Sequence, residues 1–317
     1  MRRVLGAWDR FWFEPVEVST LAVFRIVFGL IMLGWAVSLL PEVYPFFTRD
    51  SILPKQPTFS GDTWGAWGIL GIFPSNAAVV ALMVAFLLAA ACLLVGFFTR
   101  AAAVVVFVTV LSLERRNPFV FNSGDVLLRA MAFYVMLAPT GAALSVDRWL
   151  RHRGRFWEFP RRAPWALRLM QLQVSVVYFT AVWTKVRGTT WNNGTAVSYA
   201  LRIADLNRFP VPSALANSLL ISNLLTYGTL VIELSIAILV WNRKLRPWVL
   251  LLGLSLHFGI EYSIRVGFYG LAIVSAYLVF VPAPRMSALL LALRERVRRA
   301  PAPALPPQPA AGERIAG

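Results

Sequence analysis

Lys185 is the residue of this chain best placed to do chemistry. It closes the apolar, helix-compatible run Val177-Tyr178-Phe179-Thr180-Ala181-Val182-Trp183-Thr184. Directly after it comes Val186-Arg187-Gly188-Thr189-Thr190-Trp191-Asn192-Asn193-Gly194, a polar segment punctuated by tryptophan and glycine. A lysine at the edge of a hydrocarbon layer has two uses. Its stem can pack on apolar surface while the ammonium reaches the headgroups. It can also serve as a base, because burial disfavours the charged ammonium and brings the free amine within reach. Position alone leaves both open.

A second group stands further on. His257, Glu261 and Arg265 recur every fourth residue, which puts them on one helical face. A histidine hydrogen-bonded to a carboxylate one turn away can handle protons. The same three residues can equally form a polar stripe facing neighbouring helices. Lys185, His257 and Glu261 are therefore the candidate catalytic residues. Four more ionisable residues fall inside apolar runs and read as structural charges: Arg25, Asp125, Arg129 and Glu233. A charge there needs a partner or a water-filled cavity. Arg25 has no opposite charge at helical spacing, so it must find another helix or backbone carbonyls. Asp125 and Arg129 are four apart and can neutralise each other. Glu233 is either protonated or paired with an arginine such as Arg25 or Arg129. No Cys/His cluster has metal-ligand spacing, so no metal is expected. There is no phosphate loop and no nucleophile elbow. Cys92, the one cysteine, sits in an apolar run and reads as packing.

The elements that must position these residues follow from composition. The chain is 58% hydrophobic and 15% charged, with mean hydropathy +0.65. A soluble domain is about a quarter charged. The apolar residues come in long blocks, which predicts an all-α, polytopic integral membrane bundle of about eight helices. The predicted spans are 19–40, 77–98, 100–113, 125–139, 165–185, 218–241, 247–264 and 267–283. A net charge of +16 would suggest nucleic acid in a soluble protein. Here the arginines lie between apolar blocks, so the expected partner is the lipid bilayer and no nucleic acid is expected.

Residues 1–17 read as an uncleaved signal-anchor whose Trp8, Phe11, Trp12 and Phe13 suit an interfacial belt. Segment 41–76, with Phe59, Trp64, Trp67, Leu70 and Phe73, is expected to lie in the interface or dip back into the membrane. A short helix is expected around 194–204. The organisation is thus a transmembrane domain over 1–284, a basic amphipathic interfacial helix over 285–299, and a Pro/Ala-rich disordered tail over 300–317.

The pattern Tyr178-Phe179-x-Ala181-x-x-x-Lys185, with Trp191 and Gly194 soon after, resembles the horizontally transferred transmembrane (HTTM) domain family, which includes the vitamin K-dependent gamma-carboxylases. The resemblance extends over residues 8–284. It shows in Leu21-x-x-x-Arg25-Ile26-x-x-Gly29, in Arg116-Asn117 through Asn122-x-Gly124-Asp125, in Ser145-x-Asp147, in Glu233, and in His257 with Gly267-Phe268-Tyr269. It implies that Lys185 matches the base that deprotonates vitamin K hydroquinone, and that His257 matches a histidine of the same chemistry. One departure matters. The carboxylases carry Asn-His where this chain has Ser123-Gly124. Loss of that histidine, which assists carbon dioxide handling, argues against glutamate carboxylation here, as does the lack of the large extramembrane domain. The chain looks like the minimal bacterial form.

Two readings of function follow. One is an enzyme-like protein with an outward-facing cavity around Lys185 and His257, acting on a quinone-like or other lipid-soluble ligand. The alternative is a non-enzymatic membrane factor for maturation, export or immunity of a secreted peptide. A transporter is less favoured, because no internal repeat is visible.

Eight spans put both termini on one side of what would be the bacterial plasma membrane. Segments on that side hold 19 Lys and Arg, against 9 on the other. The excess predicts a cytoplasmic N-terminus. Reporter fusions at 150 and 305 should both read as cytoplasmic and a fusion at 205 should not; a periplasmic signal from 150 would overturn this topology.

Overall fold

The computed structural model describes residues 2–53 and 68–299. Phe59, Trp64 and Trp67 of the expected interfacial segment lie outside the described residues, as does the tail 300–317. The described chain is mostly helical. Its N-terminal half runs α1 (Arg2–Phe13), β1 (Val16–Glu17), α2 (Ser19–Ser38), α3 (Val43–Phe47), α4 (Ile69–Ile72), α5 (Asn76–Val95), α6 (Thr99–Arg116), α7 (Ser123–Leu137) and α8 (Val146–Arg151). Then come β2 (Arg161–Arg162), α9 (Trp165–Lys185), α10 (Thr189–Asn192), α11 (Ala196–Leu201), α12 (Ser213–Asn217), α13 (Leu219–Leu239), α14 (Arg246–Ser263), α15 (Tyr269–Tyr277) and α16 (Ala283–Arg299).

Three of the described helices are long and apolar enough to cross a membrane on length and composition: α2, α5 and α13. A fourth span results if the segment Tyr269–Phe280 and α16, bent by 104° at Val281-Pro282, are taken together. Helices also stand at the other expected positions, but α7 is short and α6, α9 and α14 carry polar residues.

Sequence signals explain where the helices start and stop. Ser75 caps α5 by accepting from the Ala78 amide at 3.1 Å. Gly96 ends it in the left-handed region (φ 74), where its own amide and that of Phe97 both donate to the Cys92 carbonyl at 2.8 Å. Asn122 and Asp125 form a capping box at the start of α7. Pro247 sits in the first turn of α14, where no intrahelical donor is needed.

The main helices pack on one another in the order α2, α5, α6, α7, α9, α13, α14, α15, and α15 returns to α2. α15 also touches α7 and α9, so its buried face, with Ala272, Ile273 and Ala276, is turned toward the ring's interior while Leu271 and Val274 stay exposed. On α2 the buried stripe Leu21, Phe24, Phe28, Met32 and Trp35 recurs every three or four residues. The opposite faces stay apolar and outward: Leu219, Leu224, Val231 and Ile238 on α13 are exposed. That is the surface a hydrocarbon layer requires. At one end, β1 pairs antiparallel with β2, Val16 opposite Arg162, clipping the N-terminal segment to the basic loop before α9. Ser19 Oγ donates to the Ala283 carbonyl at 2.9 Å, so α16 is tied to the start of α2.

Arg25 is fully buried. Its guanidinium donates to the Leu93 carbonyl at 3.2 Å, near the end of α5, and to the Leu144 carbonyl. Carbonyls at a helix C-terminus carry partial negative charge and suit a cation. Asp147 lies within electrostatic range of Arg25. Its carboxylate is occupied at the start of α6, accepting from the Phe98 and Thr99 amides at 2.9 and 2.8 Å. Arg25 therefore joins α2, α5 and the turn before α8, and it meets carbonyls in place of a carboxylate on a facing span.

The Asp125–Arg129 pairing expected from spacing is not made. Asp125 turns back to its own helix start, accepting from the Asn122 amide at 2.8 Å. Arg129 pairs with buried Glu114 at the last turn of α6. The capping geometry claims Asp125 first, because an N-terminal amide is nearer than a guanidinium one turn on.

Replacing Arg25 with Met should lower stability in detergent by roughly 1.5–3 kcal/mol, the usual worth of a charged hydrogen bond. An unchanged melting temperature would show that the two carbonyls find other donors. Gly124 offers a second test. A Cβ there would stand 2.6 Å from Tyr269 Cα, because α7 starts against α15. Gly124→His should therefore cost about 1–3 kcal/mol through overpacking and not restore carboxylase-like behaviour, whereas Ser123→Asn, at an exposed neighbour, should be tolerated. A stable Gly124→His protein would sink this reading.

Candidate functional site

Lys185 is the last residue of α9, and the helix aims it across to α13. There its ammonium forms an ion pair with Glu233, which is 3% exposed. The same ammonium lies 5.0 Å from the centre of the Trp191 indole, a cation–π contact supplied by the segment after α9. Glu233 thus pairs with neither Arg25 nor Arg129. The reason is adjacency: α13 packs directly against α9, while Arg25 is engaged by carbonyls and Arg129 by Glu114. Breaking such a pair by deleting one partner typically costs about 3–5 kcal/mol, because the other charge is stranded.

His257 is buried on α14, but its partner is not Glu261. Its Nε2 lies 2.6 Å from the hydroxyl oxygen of Tyr178 on α9. Tyr178 in turn hydrogen-bonds the hydroxyl of Tyr277 at the end of α15. Tyr269, the first residue of α15, sets its ring tilted against the imidazole with ring centres 5.5 Å apart. The result is a buried chain Tyr277–Tyr178–His257 drawn from three helices. Tyr178 precedes Lys185 by seven residues, two turns, so both project from one face of α9. Glu233 lies within electrostatic range of Tyr178, Tyr269 and Tyr277, and Lys185 within range of His257. The ion pair and the tyrosine–histidine chain therefore form one cluster. Two buried atoms in it lack a hydrogen-bond partner among the described residues, Glu233 Oε2 and His257 Nδ1.

Glu261 belongs to a different device. It pairs with Arg208, whose Nε also donates to the Glu261 carbonyl at 2.8 Å. The amides of Arg208 and Arg265 bond the carbonyls of Ser263 and Leu206 at 3.0 and 2.7 Å. The loop before α13 is thereby laid as a short antiparallel bridge along the end of α14. Its other end is held on α13, where Ser222 Oγ donates to the Gly194 carbonyl at 2.9 Å and the Tyr227 hydroxyl to the Asn192 carbonyl at 2.7 Å. The short helix expected around 194–204 is α11, which sits within this cover.

Of the three candidate catalytic residues, the structure brings Lys185 and His257 together and sets Glu261 apart as a loop anchor. Sequence reasoning missed Tyr178, Tyr269 and Tyr277. Tyr178 had a signal, its seven-residue spacing from Lys185. Tyr269 had one too, since it closes the Gly267-Phe268-Tyr269 stretch that carries the family resemblance with His257; Tyr277 had none, since only the packing of α15 makes it a neighbour. Among the described residues there is no group of three or more His, Cys, Asp or Glu side chains that could hold a metal ion.

Chemically the cluster can hold one exchangeable proton in several places. Lys185 and Glu233 can share it as an ion pair or as amine and carboxylic acid, and an apolar setting narrows the gap between these forms. The tyrosine and imidazole groups beside it form a second short chain of donors and acceptors, Tyr277–Tyr178–His257.

No curated protein and no solved structure matches the chain. The family model described as HTTM domain matches residues 13–285, which takes in every long helix from α2 to α15 and both halves of the cluster. With its apolar helices and this match over most of its length, the chain is an integral membrane protein belonging to the HTTM domain family.

Proposed function

We propose that this protein binds a quinone-like or other lipid-soluble ligand at the Lys185–His257 cluster and removes a proton from it. The observation that carries this reading is the Lys185–Glu233 ion pair set two turns along the same face of α9 from Tyr178, which hydrogen-bonds both His257 and Tyr277. Glu233 takes up the lysine proton, which leaves a neutral amine as base. A carboxylate with one unpartnered oxygen is suited to that role. His257 and Tyr178 hydrogen-bond each other beside the pair, and the unpartnered His257 Nδ1 is left for the ligand. A quinol-type ligand would supply an acidic hydroxyl and an apolar ring. The residues fit such a group: unpartnered polar atoms surrounded by aromatic and aliphatic side chains. Glutamate carboxylation is not part of the proposal, because Gly124 leaves no room for a side chain at the position that resembles the carboxylase histidine.

The setting proposed for this chemistry is a bundle of eight spans in the bacterial plasma membrane, both termini cytoplasmic, with domain limits at 284 and 299 and the cluster near the outer face. A second reading draws on one feature. Phe209, Phe258 and Tyr262 are exposed at the loop-covered end, with Phe209 and Tyr262 ring centres 5.2 Å apart. Such a patch suits a secreted peptide in a maturation, export or immunity system, with the ion pair then purely architectural.

Lys185→Arg separates the two. Arginine keeps the ion pair and the cation–π contact but cannot give up its proton, since its pKa is above about 12. In lipid nanodiscs, the wild-type protein should convert a naphthohydroquinone to its anion near neutral pH, read as the long-wavelength absorbance band of the anion. Lys185→Arg and His257→Gln should fold to the same yield and lose the band. Full anion formation in Lys185→Arg would return the lysine to an anchoring role.

A further inference from the structure

At the end of the bundle opposite Lys185, where β1, the start of α9, the α13–α14 turn and the α15–α16 bend converge, lies a cavity of about 880 Å³. Five arginines line it: Arg161, Arg168, Arg243, Arg246 and Arg285. Glu17 is the one carboxylate among the lining residues, and it accepts from Ser287 Oγ. Among the described residues none of the five arginines forms an ion pair with a carboxylate.

Three of these guanidiniums are held in place by backbone oxygens. Arg161 donates twice to the Pro15 carbonyl, at 3.1 and 2.8 Å. Arg168 donates to the Phe11 carbonyl at 3.2 Å and to Gln171 Oε1 at 2.9 Å, and Gln171 is itself buried and bonded to the Val279 carbonyl. Arg246 donates to the Val240 and Phe280 carbonyls at 2.8 and 3.3 Å. A guanidinium has five N–H donors, so each of these keeps some in reserve. Arg243 and Arg285 make no side-chain hydrogen bond to described residues. The cations also repel: Arg246 is within electrostatic range of Arg243 and Arg285, and Arg168 of Arg243 and Arg246. A fold that fixes unpaired like charges around a hollow stores repulsion that a multiply charged anion relieves.

The wall of the cavity is apolar, with Leu167, Leu250 and Phe280. It lies where the amphipathic helix α16 meets the ends of the long helices, the level of the headgroups on one side of the membrane. We propose that this cavity binds the phosphate of an anionic lipid, with arginine forks on the phosphate oxygens and the glycerol end of the acyl chains against Leu250 and Phe280. Arginine is the residue suited to this, since its planar fork meets two oxygens of one phosphate. The site is independent of the Lys185 cluster, and its occupancy would brace four segments at the basic end.

The test uses the full chain in mild detergent, with binding followed by native mass spectrometry and by melting temperature. Phosphatidylglycerol should bind and raise the melting temperature; phosphatidylcholine should not. Arg243→Gln and Arg168→Gln should each weaken phosphatidylglycerol binding about tenfold, the loss expected for one charge-assisted contact. Arg298→Gln, at an exposed site on α16, should leave it unchanged. Because Arg168 also bonds backbone, Arg243→Gln carries the test if Arg168→Gln fails to fold. Equal response to the two lipids, or undiminished binding in Arg243→Gln, would overturn the proposal. Inorganic phosphate alone reproducing the full shift would overturn the lipid assignment by showing a free-ion site.

Discussion

A charge taken out of water must meet its partner inside the protein, and this requirement organises the bundle. Apolar contact cannot do it alone. In a membrane the lipid tails are as apolar as the side chains, so burying a leucine between helices does little to choose one neighbour over another. Buried polar groups do choose. Arg25 ties α2 to carbonyls 68 and 119 residues away. Arg116, at the end of α6, donates to the Thr48 and Leu53 carbonyls at 2.6 and 2.7 Å and so fixes the segment after α3. Arg129 joins α7 to α6, and Lys185 joins α9 to α13. Each is a crosslink whose wrong alternatives would leave an ion unpaired in hydrocarbon.

This division explains what could be read from the sequence. Helix positions were legible because long apolar blocks, a serine cap, a terminal glycine and a first-turn proline are local signals. Helix α9 falls on the residues expected of the fifth span, 165–185. Partnerships were not legible, because they depend on which helices touch. Asp125 and Arg129 share a face, yet each has a better partner, one in the cap of its own helix and the other at the end of α6. Glu114 had been placed in a loop beyond the third span, so it was never weighed as a partner. Glu261 lies one turn from His257, but the returning loop brings Arg208 to it. The charged members of the candidate site stood out in the sequence; the tyrosines that link them required the closed ring.

The two ends of the bundle differ in kind. At one, a single ion pair, a histidine and three tyrosines are gathered beneath a loop pinned at both ends. At the other, arginines outnumber carboxylates and are steadied by backbone oxygens. Compensated charge suits a place where protons change hands. Uncompensated charge suits a place where something anionic arrives from outside.

The order of the chain also dictates how the protein can be made. The residues of the Lys185 cluster come from α9 and later, so everything up to α8 can enter the bilayer without it. Lys185 then emerges 48 residues before Glu233. Through that interval the nascent chain carries an ammonium at the membrane edge with its carboxylate still in the ribosome or the translocon. The hydrogen bonds that hold the intervening loop on α13 come from Ser222 and Tyr227, so they form only as the helix bearing Glu233 itself arrives. α15, which packs on α2, α7, α9 and α14, is the last element to bring residues to the site. The site is therefore complete only once α15 has joined the bundle.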